Sequence, residues 1–441
     1  MTIIENPARE DWGKLTRRPT QKFKKIEKIV KPILKKVSKK GDEALRYFAL
    51  EYDHVALEEL QVSTKEFDLA DEQLEQDLKE AIQVAYSNIS KFHEAQKTDT
   101  LEVETMPGVR CFRRSVPIEK VGLYIPGGTA PLFSTVLMTG IPAKIAGCQE
   151  IVMCTPSNRR GQINPAILYT ARLVGIDKVF KIGGAQAIAA MAYGTESIPR
   201  AHKIFGPGNQ YVTVAKQLVS KSQVAIDMPA GPSEVAILAD KSADPTFVAA
   251  DLLSQAEHGF DSQVVLVSDS EELVNKTLQM VKDQLRQLPR QEIAREALKN
   301  SVCFIMNNLD DGYELLNEYA AEHLIIATQN PEEAVEKVRS AGSVFLGHYS
   351  PESAGDYASG TNHTLPTNGF AKSYSGISLD SYVKKITYQS ISPEGLSMLG
   401  PYVEKMAAAE QLDAHKNAVS LRLQKIKNDS KAPEAPVAET K

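Results

Sequence analysis

Four histidines of this chain have a carboxylate or an amide close by in sequence, and all four fall in its second half: His258, His323, His363 and His415. An imidazole that moves a proton near neutral pH needs a partner that sets its charge and tautomer. Gln255-Ala256-Glu257-His258-Gly259 closes a run that reads as a helix. Positions three apart share a helix face, so Gln255 and His258 project together, and Gly259 stops the helix and leaves the pair at an accessible end. Glu322-His323 ends one helix and opens a strand. Two adjacent titratable groups there point different ways and can address different atoms of one substrate, which suits acid–base work in two successive steps. A helix C-terminal histidine favoured by the dipole, beside a surface glutamate, fits the same residues.

Asp356 and His363 come from one stretch, SAGDYASGTNHTLPT at 353–367. Its two glycines, its proline and its small polar residues break both the helical and the strand period, so an irregular loop is expected. His415 lies on a C-terminal helix, five residues after Glu410; that spacing is about 140° around a helix, so the two are not expected to meet one ion. Imidazoles, a carboxylate and an amide oxygen together make a borderline N/O donor set suited to zinc or manganese. No HExxH or similar short signature links them, and each histidine alone also fits a hydrogen-bonded structural residue.

Positioning such groups requires a scaffold, and the texture from Val121 onward supplies one. VGLYIP at 121–126 reads as a buried strand, GGTAP at 127–131 as a tight turn, 132–146 as a helix and 150–156 as a second strand. The alternation continues with helix 164–174, strand 178–182, helix 185–192, strand 203–205, helix 209–220 and strand 223–227. A second series follows: strands 235–239, 263–268, 302–306, 324–328 and 343–346, with helices 245–257, 271–287, 310–321 and 331–340 between them. Strands alternating with helices predict two parallel sheets, each covered on both faces. Glycines after the strands of the first series let backbone approach a ligand and offer helix N-terminal amides to phosphate. Yet neither GxGxxG nor GxxxxGK[ST] is present, so 121–230 is either a nucleotide domain or a parallel-sheet domain without one.

Upstream, residues 1–20 lack a period and read as an arm. Nine lysines between Gln21 and Lys40 interleave with Phe23, Ile26, Ile29, Val30, Ile33 and Val37, which predicts an amphipathic helix with a solvated basic face, kinked near Pro32. Gly41-Asp42 restarts a helix, and 64–97 reads as further helix capped by Ser63 or Thr64. Beyond Lys372 the pattern is mostly helical, notably 392–399 and 401–426, and the Pro-, Ala- and charge-rich residues 427–441 read as a disordered tail.

Composition narrows the classes. A net charge of −5 and a pI near 6.0 call for neither nucleic acid nor an anionic membrane. No apolar run reaches the roughly 18–20 residues of a membrane span, and the first ten residues lack the apolar core of a signal peptide, so a cytoplasmic protein is expected. Cys111, Cys148, Cys154 and Cys303 form no CxxC pair, which argues against a zinc knuckle or disulfide framework.

Motif by motif, the chain resembles the histidinol dehydrogenase family. The segments that carry the resemblance are QAEHG at 255–259, EHL at 322–324, GDYASGTNHTLPT at 355–367, AE at 409–410 and DAH at 413–415. With them stand VGLYIPGGTAPLFSTVLM at 121–138, IGGAQAIAA at 182–190, FGPGN at 205–209 and AGPSE at 230–234. They occur in the family's order over about residues 20–425, with Ala321 where the family often has proline. The resemblance implies an α/β fold of two Rossmann-like parallel-sheet domains in an aldehyde-dehydrogenase-like arrangement, with small helical extensions used in dimerisation. It implies NAD-dependent oxidation of L-histidinol to L-histidine through the aldehyde, ending histidine biosynthesis.

Residue by residue, it makes Gln255, His258, Asp356 and His415 the ligands of one zinc ion per subunit and Glu322 and His323 the acid–base pair. Ser233, His363 and Glu410 become further substrate contacts beside those groups, and Tyr124, Gln186 and Asn209 become NAD contacts. A homodimer with His415 delivered from the partner subunit is also implied. The expected organisation is an arm (1–20), a discontinuous zinc and substrate domain (21–118 and 234–375), an NAD domain (119–233), a helical dimerisation domain (376–426) and the tail. A zinc hydrolase and a non-catalytic binding module are the rival readings; neither needs two parallel-sheet domains with Gly-rich turns and an acid–base pair together.

Overall fold

The computed structural model describes residues 1–19, 23–127, 131–221, 223–229 and 231–430. Most of the first Gly-rich turn (128–130), Ala230 and 431–441 of the expected tail therefore lie outside the described residues, although the last helix reaches Asp429. The chain forms two compact units, one of residues 1–97 and 117–382, the other of 98–116 and 383–441.

Two sheets organise the first unit. Five strands, in the order Lys178–Phe180, Glu150–Cys154, Lys120–Tyr124, Lys203–Phe205 and Ala225–Ile226, pair in parallel. Alternate side chains of these strands feed two different cores. Tyr124, Val152, Cys154, Phe180 and Ile204 meet one set of helices, and Val121, Leu123, Met153, Val179 and Phe205 meet another. Phe23–Tyr52 supplies Ile26, Val30, Ile33, Leu45 and Phe48 to the first core, while Thr64–Gln73 and Gln76–Glu94 supply Phe67, Ile82 and Ile89 to the second. The helices of 23–94 thus cover the 120–226 sheet, whereas the organisation expected with the resemblance had grouped 21–118 with 234–375. The long helix breaks at Gly41 (φ 47°, ψ −128°) and not at Pro32. Ser63 closes a full capping box with Glu66.

The second sheet has six parallel strands: Thr2–Glu5, Val302–Ile305, Gln263–Ser268, Glu234–Ala239, His323–Ala327 and Ser343–Leu346. The first of these corrects the expected structureless arm. Thr2 to Glu5 pair in register with Val302 to Ile305, and Trp12 buries itself among Tyr313, Leu316 and Tyr319. Further on, Glu352–Tyr357 is a short helix, so Asp356 sits in its last turn and only the residues after it keep the irregular backbone expected of 353–367.

The second unit is not all helix. Leu101–Met106 and Val109–Pro117 form an antiparallel hairpin turned by Gly108, and Val383–Ile391 lies beside its second strand. Phe112 stacks on Tyr388 at 4.9 Å. Helices Pro393–Ala409 and Asp413–Asp429 then pack on each other, with Gly400 making room for Leu423.

Candidate active site

Glu234 is the hub of the site. It opens a fully buried strand, next to the strand opened by His323. Its backbone N–H donates to Glu322 Oε2 at 2.9 Å, and its carbonyl accepts from His323 Nδ1 at 3.3 Å. One residue's main chain therefore holds both Glu322 and His323, the expected acid–base pair, on side chains that are each less than a tenth exposed. The other ring nitrogen of His323 meets Asp356 Oδ1 at 3.1 Å. Both nitrogens thus face acceptors alone, and an imidazole so placed is satisfied only as the imidazolium.

Burial works against that charge, but Glu322 and the Asp356 hydrogen bond outweigh it and raise the His323 pKa to about 10. Burial raises the Glu322 carboxyl to about 8 despite the pull of His323 and the Glu234 amide. Asp356 is pushed up by burial and pulled down further by His323, ending below its ordinary value. His363 is set up in the opposite way. Its Nδ1 faces the Asp356 carbonyl at 2.9 Å and its Nε2 faces the Thr135 hydroxyl at 3.2 Å, a donor as well as an acceptor, so the neutral ring is satisfied. Burial lowers its pKa against the pull of Asp356.

Gln255 is fully buried in the last turn of Pro245–Ala256. With its amide oriented to suit its neighbours, it donates to Glu352 Oε1 at 3.2 Å and accepts from the Glu234 N–H at 3.0 Å. Its oxygen keeps one lone pair. His258, just past that helix, is exposed, and its ring makes no hydrogen bond among the described residues. Asp356 uses only Oδ1 toward His323. An amide oxygen, a free imidazole and a free carboxylate oxygen fit the donor preferences of zinc. No three His, Cys, Asp or Glu side chains among the described residues are grouped to enclose an ion on their own.

Ser233 precedes the hub and accepts through its carbonyl from the Gln263 N–H. Glu410 and His415 belong to the other compact unit, and both are exposed. The helix expected to carry both is broken between them: Glu410 ends one helix, Gln411 turns at φ 58°, and Asp413 starts the next. The 140° argument from sequence therefore does not apply.

The three residues expected at the cofactor stand at carboxyl ends of the first sheet or at the helices that follow. Tyr124 ends its strand, and its hydroxyl accepts from the Gly184 N–H at 3.1 Å. Burial pushes its pKa up to about 12, so it stays a neutral phenol. Gln186 is buried in the first turn of Gly184–Tyr193, and Asn209 caps Gln210–Ser220 by accepting from the Tyr211 and Val212 amides. Gly206 between them has φ 116°, and a Cβ there would lie 2.1 Å from the Tyr124 carbonyl oxygen. A buried Lys216–Asp227 pair grips this peptide from both sides, Lys216 Nζ at the Gly206 carbonyl (2.8 Å) and Asp227 Oδ2 at its N–H (2.9 Å).

A family model for histidinol dehydrogenase matches residues 16–423. The chain belongs to the histidinol dehydrogenase family. It is 57% identical over 427 residues to histidinol dehydrogenase from Bacteroides thetaiotaomicron, covering 97% of this chain and all of that one. The Campylobacter jejuni (strain RM1221) enzyme is 53% identical, over 96% and 99% of the two chains. The crystal structure of histidinol dehydrogenase from Elizabethkingia anophelis is 53% identical and superposes with a TM-score of 0.95 over 97% of this chain and 99% of that one.

Several residues at this histidinol dehydrogenase site carried no signal in sequence. Glu352 is 1% exposed, bonded through Oε1 to Ser254, and burial lifts its pKa to about 7. Arg18 was equally silent, since it is defined by contacts more than 200 positions away, whereas Thr135 and Glu234 lie inside segments that carry the resemblance but were given no role. Cys148 and Cys154 offer no ready nucleophile: burial raises Cys148 to about 11 and Cys154 higher still, which leaves almost no thiolate at neutral pH.

Proposed function

We propose that this protein oxidises L-histidinol to L-histidine through the aldehyde, with two hydrides passed to NAD and the protons handled by Glu322 and His323. The observation that carries the reading is the shared Glu234 peptide, which fixes two buried titratable groups side by side with different partners. NAD would lie against Tyr124, Gln186 and Asn209 and supply the hydride acceptor. Gln255, His258 and Asp356 would hold one zinc ion, with His415 contributed by the second copy of a homodimer; bound there, the metal would supply a Lewis-acidic anchor for the substrate's imidazole and amine. Ser233, His363 and Glu410 would contact the same substrate. A cytoplasmic setting agrees with a chain in which no described helix is long and apolar enough to cross a membrane.

His323 takes the alcohol proton in the first step. A base must be neutral, and the Asp356 contact is what holds a proton on Nε2; with Asp356 turned from the ring, that proton is released to solvent and the vacated Nε2 can accept the one from the alcohol. Glu322 activates water for addition to the aldehyde carbon in the second step, and a carboxyl raised to about 8 lies close to the pH at which such a group works best. The variant Glu322→Gln separates the roles. It should slow aldehyde oxidation by about 100-fold or more while sparing histidinol oxidation to the aldehyde far more. Equal losses in the two half-reactions would refute this division of labour.

A further inference from the structure

Among the described residues, Arg18 is the cation that reaches both chain segments framing Glu322 and His323. Its Nε and Nη2 form a fork on the Glu234 carboxylate at 2.5 and 2.8 Å. The same Nη2 donates to the carbonyls of Tyr319 at 2.7 Å and Ala320 at 3.3 Å, and the guanidinium lies 4.1 Å over the Tyr319 ring. Ala320 is in the left-handed region at φ 54°, two residues before Glu322. Glu234 Oε1 also accepts from the Asn368 N–H at 2.7 Å, which ties in the segment after His363. The Glu234 side chain is 2% exposed and that of Arg18 15%.

We propose that Arg18 is a positioning residue for the reaction: through the Glu234 carboxylate and the Tyr319 and Ala320 carbonyls it sets where Glu322 and His323 stand. The proposal rests on the roles given above to that pair. A buried, bidentate guanidinium fixes direction as well as charge, which an ammonium cannot do. Glu234 cannot shift its main chain, and with it the bonds to Glu322 and His323, without breaking that fork. Arg18 touches none of the groups assigned to substrate, metal or NAD, so its effect on chemistry passes through Glu234. The N-terminal segment, anchored by its own strand at Thr2–Glu5 and by Trp12, thereby becomes part of the catalytic apparatus.

The test compares Arg18→Lys and Arg18→Ala with wild type in full-length enzyme, measuring kcat and KM for histidinol per folded site alongside the thermal transition. A displacement of about 1 Å in reacting groups can cost on the order of 100-fold in rate. Arg18→Ala should lose about 100-fold in kcat and Arg18→Lys about 10-fold, with KM changed less than about threefold and both half-reactions slowed together. Methylguanidine, added well below denaturing concentration, should restore several-fold of the Arg18→Ala activity and nothing to Glu322→Gln. If Arg18→Ala does not fold, Arg18→Lys decides, because it keeps the charge. Wild-type kcat per folded site in Arg18→Lys, or a lowered melting temperature with unchanged kcat in either variant, would overturn the proposal and mark the pair as structural. Failure of the wild-type enzyme to oxidise histidinol would instead overturn the functional reading on which it rests.

Discussion

Charge placement distinguishes the two histidines at the centre of the site. His323 lies between two carboxylates and a carbonyl and binds its proton tightly; His363, against a hydroxyl and a carbonyl, does not. Glu352 shows the cost of such crowding most plainly. It is buried, its Oε2 has no hydrogen-bond partner among the described residues, and burial lifts its pKa from 4.5 to about 7. A carboxyl whose folded pKa lies above its unfolded one contributes stability at pH below about 4.5 that fades as pH rises through about 7. Glu352→Gln removes that dependence, so the melting temperature of the metal-free variant should fall less than wild type's between pH 5 and 7.5. Parallel pH profiles for the two proteins would show that Glu352 ionises normally. Sequence could name Glu322, His323, Asp356 and His363 because the family motifs hold them. It could not assign their charge states, which depend on neighbours such as Glu234 and Thr135, remote in sequence and ordinary in type.

At the scale of elements, the βα alternation was legible because each strand after Val121 is a short apolar run followed by a glycine or a helix start, and the observed bounds differ from the expected ones by a few residues. Several elements escaped, among them the helix Gln291–Lys299, the hairpin strands Leu101–Met106 and Val109–Pro117, and two further strands. Thr2–Glu5 is four residues long with no alternation, and it exists as a strand only because Val302–Ile305 offers a parallel edge. Val383–Ile391 is largely exposed, so its pattern lacks the buried face that marks a strand, and it was absorbed into an expected helical region. Trp12, the single tryptophan, fastens the N-terminal segment: it is 4% exposed, and its Nε1 donates to the Pro7 carbonyl at 3.1 Å. Trp12→Ala should cost about 3–5 kcal/mol, seen as a lower denaturation midpoint in urea. A loss below about 1 kcal/mol would mean that the segment is held by its strand alone.

For the molecule as a whole, the two parallel sheets play different parts. The first presents the carboxyl ends of its strands, where Tyr124 and the turns before Gly184 and Asn209 gather. The second uses the opposite ends: Glu234 and His323 are the first residues of their strands. The two sheets of one compact unit thus present the turns beside Tyr124, Gly184 and Asn209 and the buried Glu322–His323 pair, and Thr135 joins them by reaching His363 from the helix that follows Lys120–Tyr124. That division suits the proposed oxidation, in which hydride leaves the substrate twice. The most direct measurement is the number of NADH formed per histidinol by the purified protein, followed by absorbance, before and after treatment with a chelator. The account predicts two NADH for each histidinol consumed, activity lost with the chelator and regained with zinc. No NADH, a halt after one, or turnover indifferent to metal removal would contradict it.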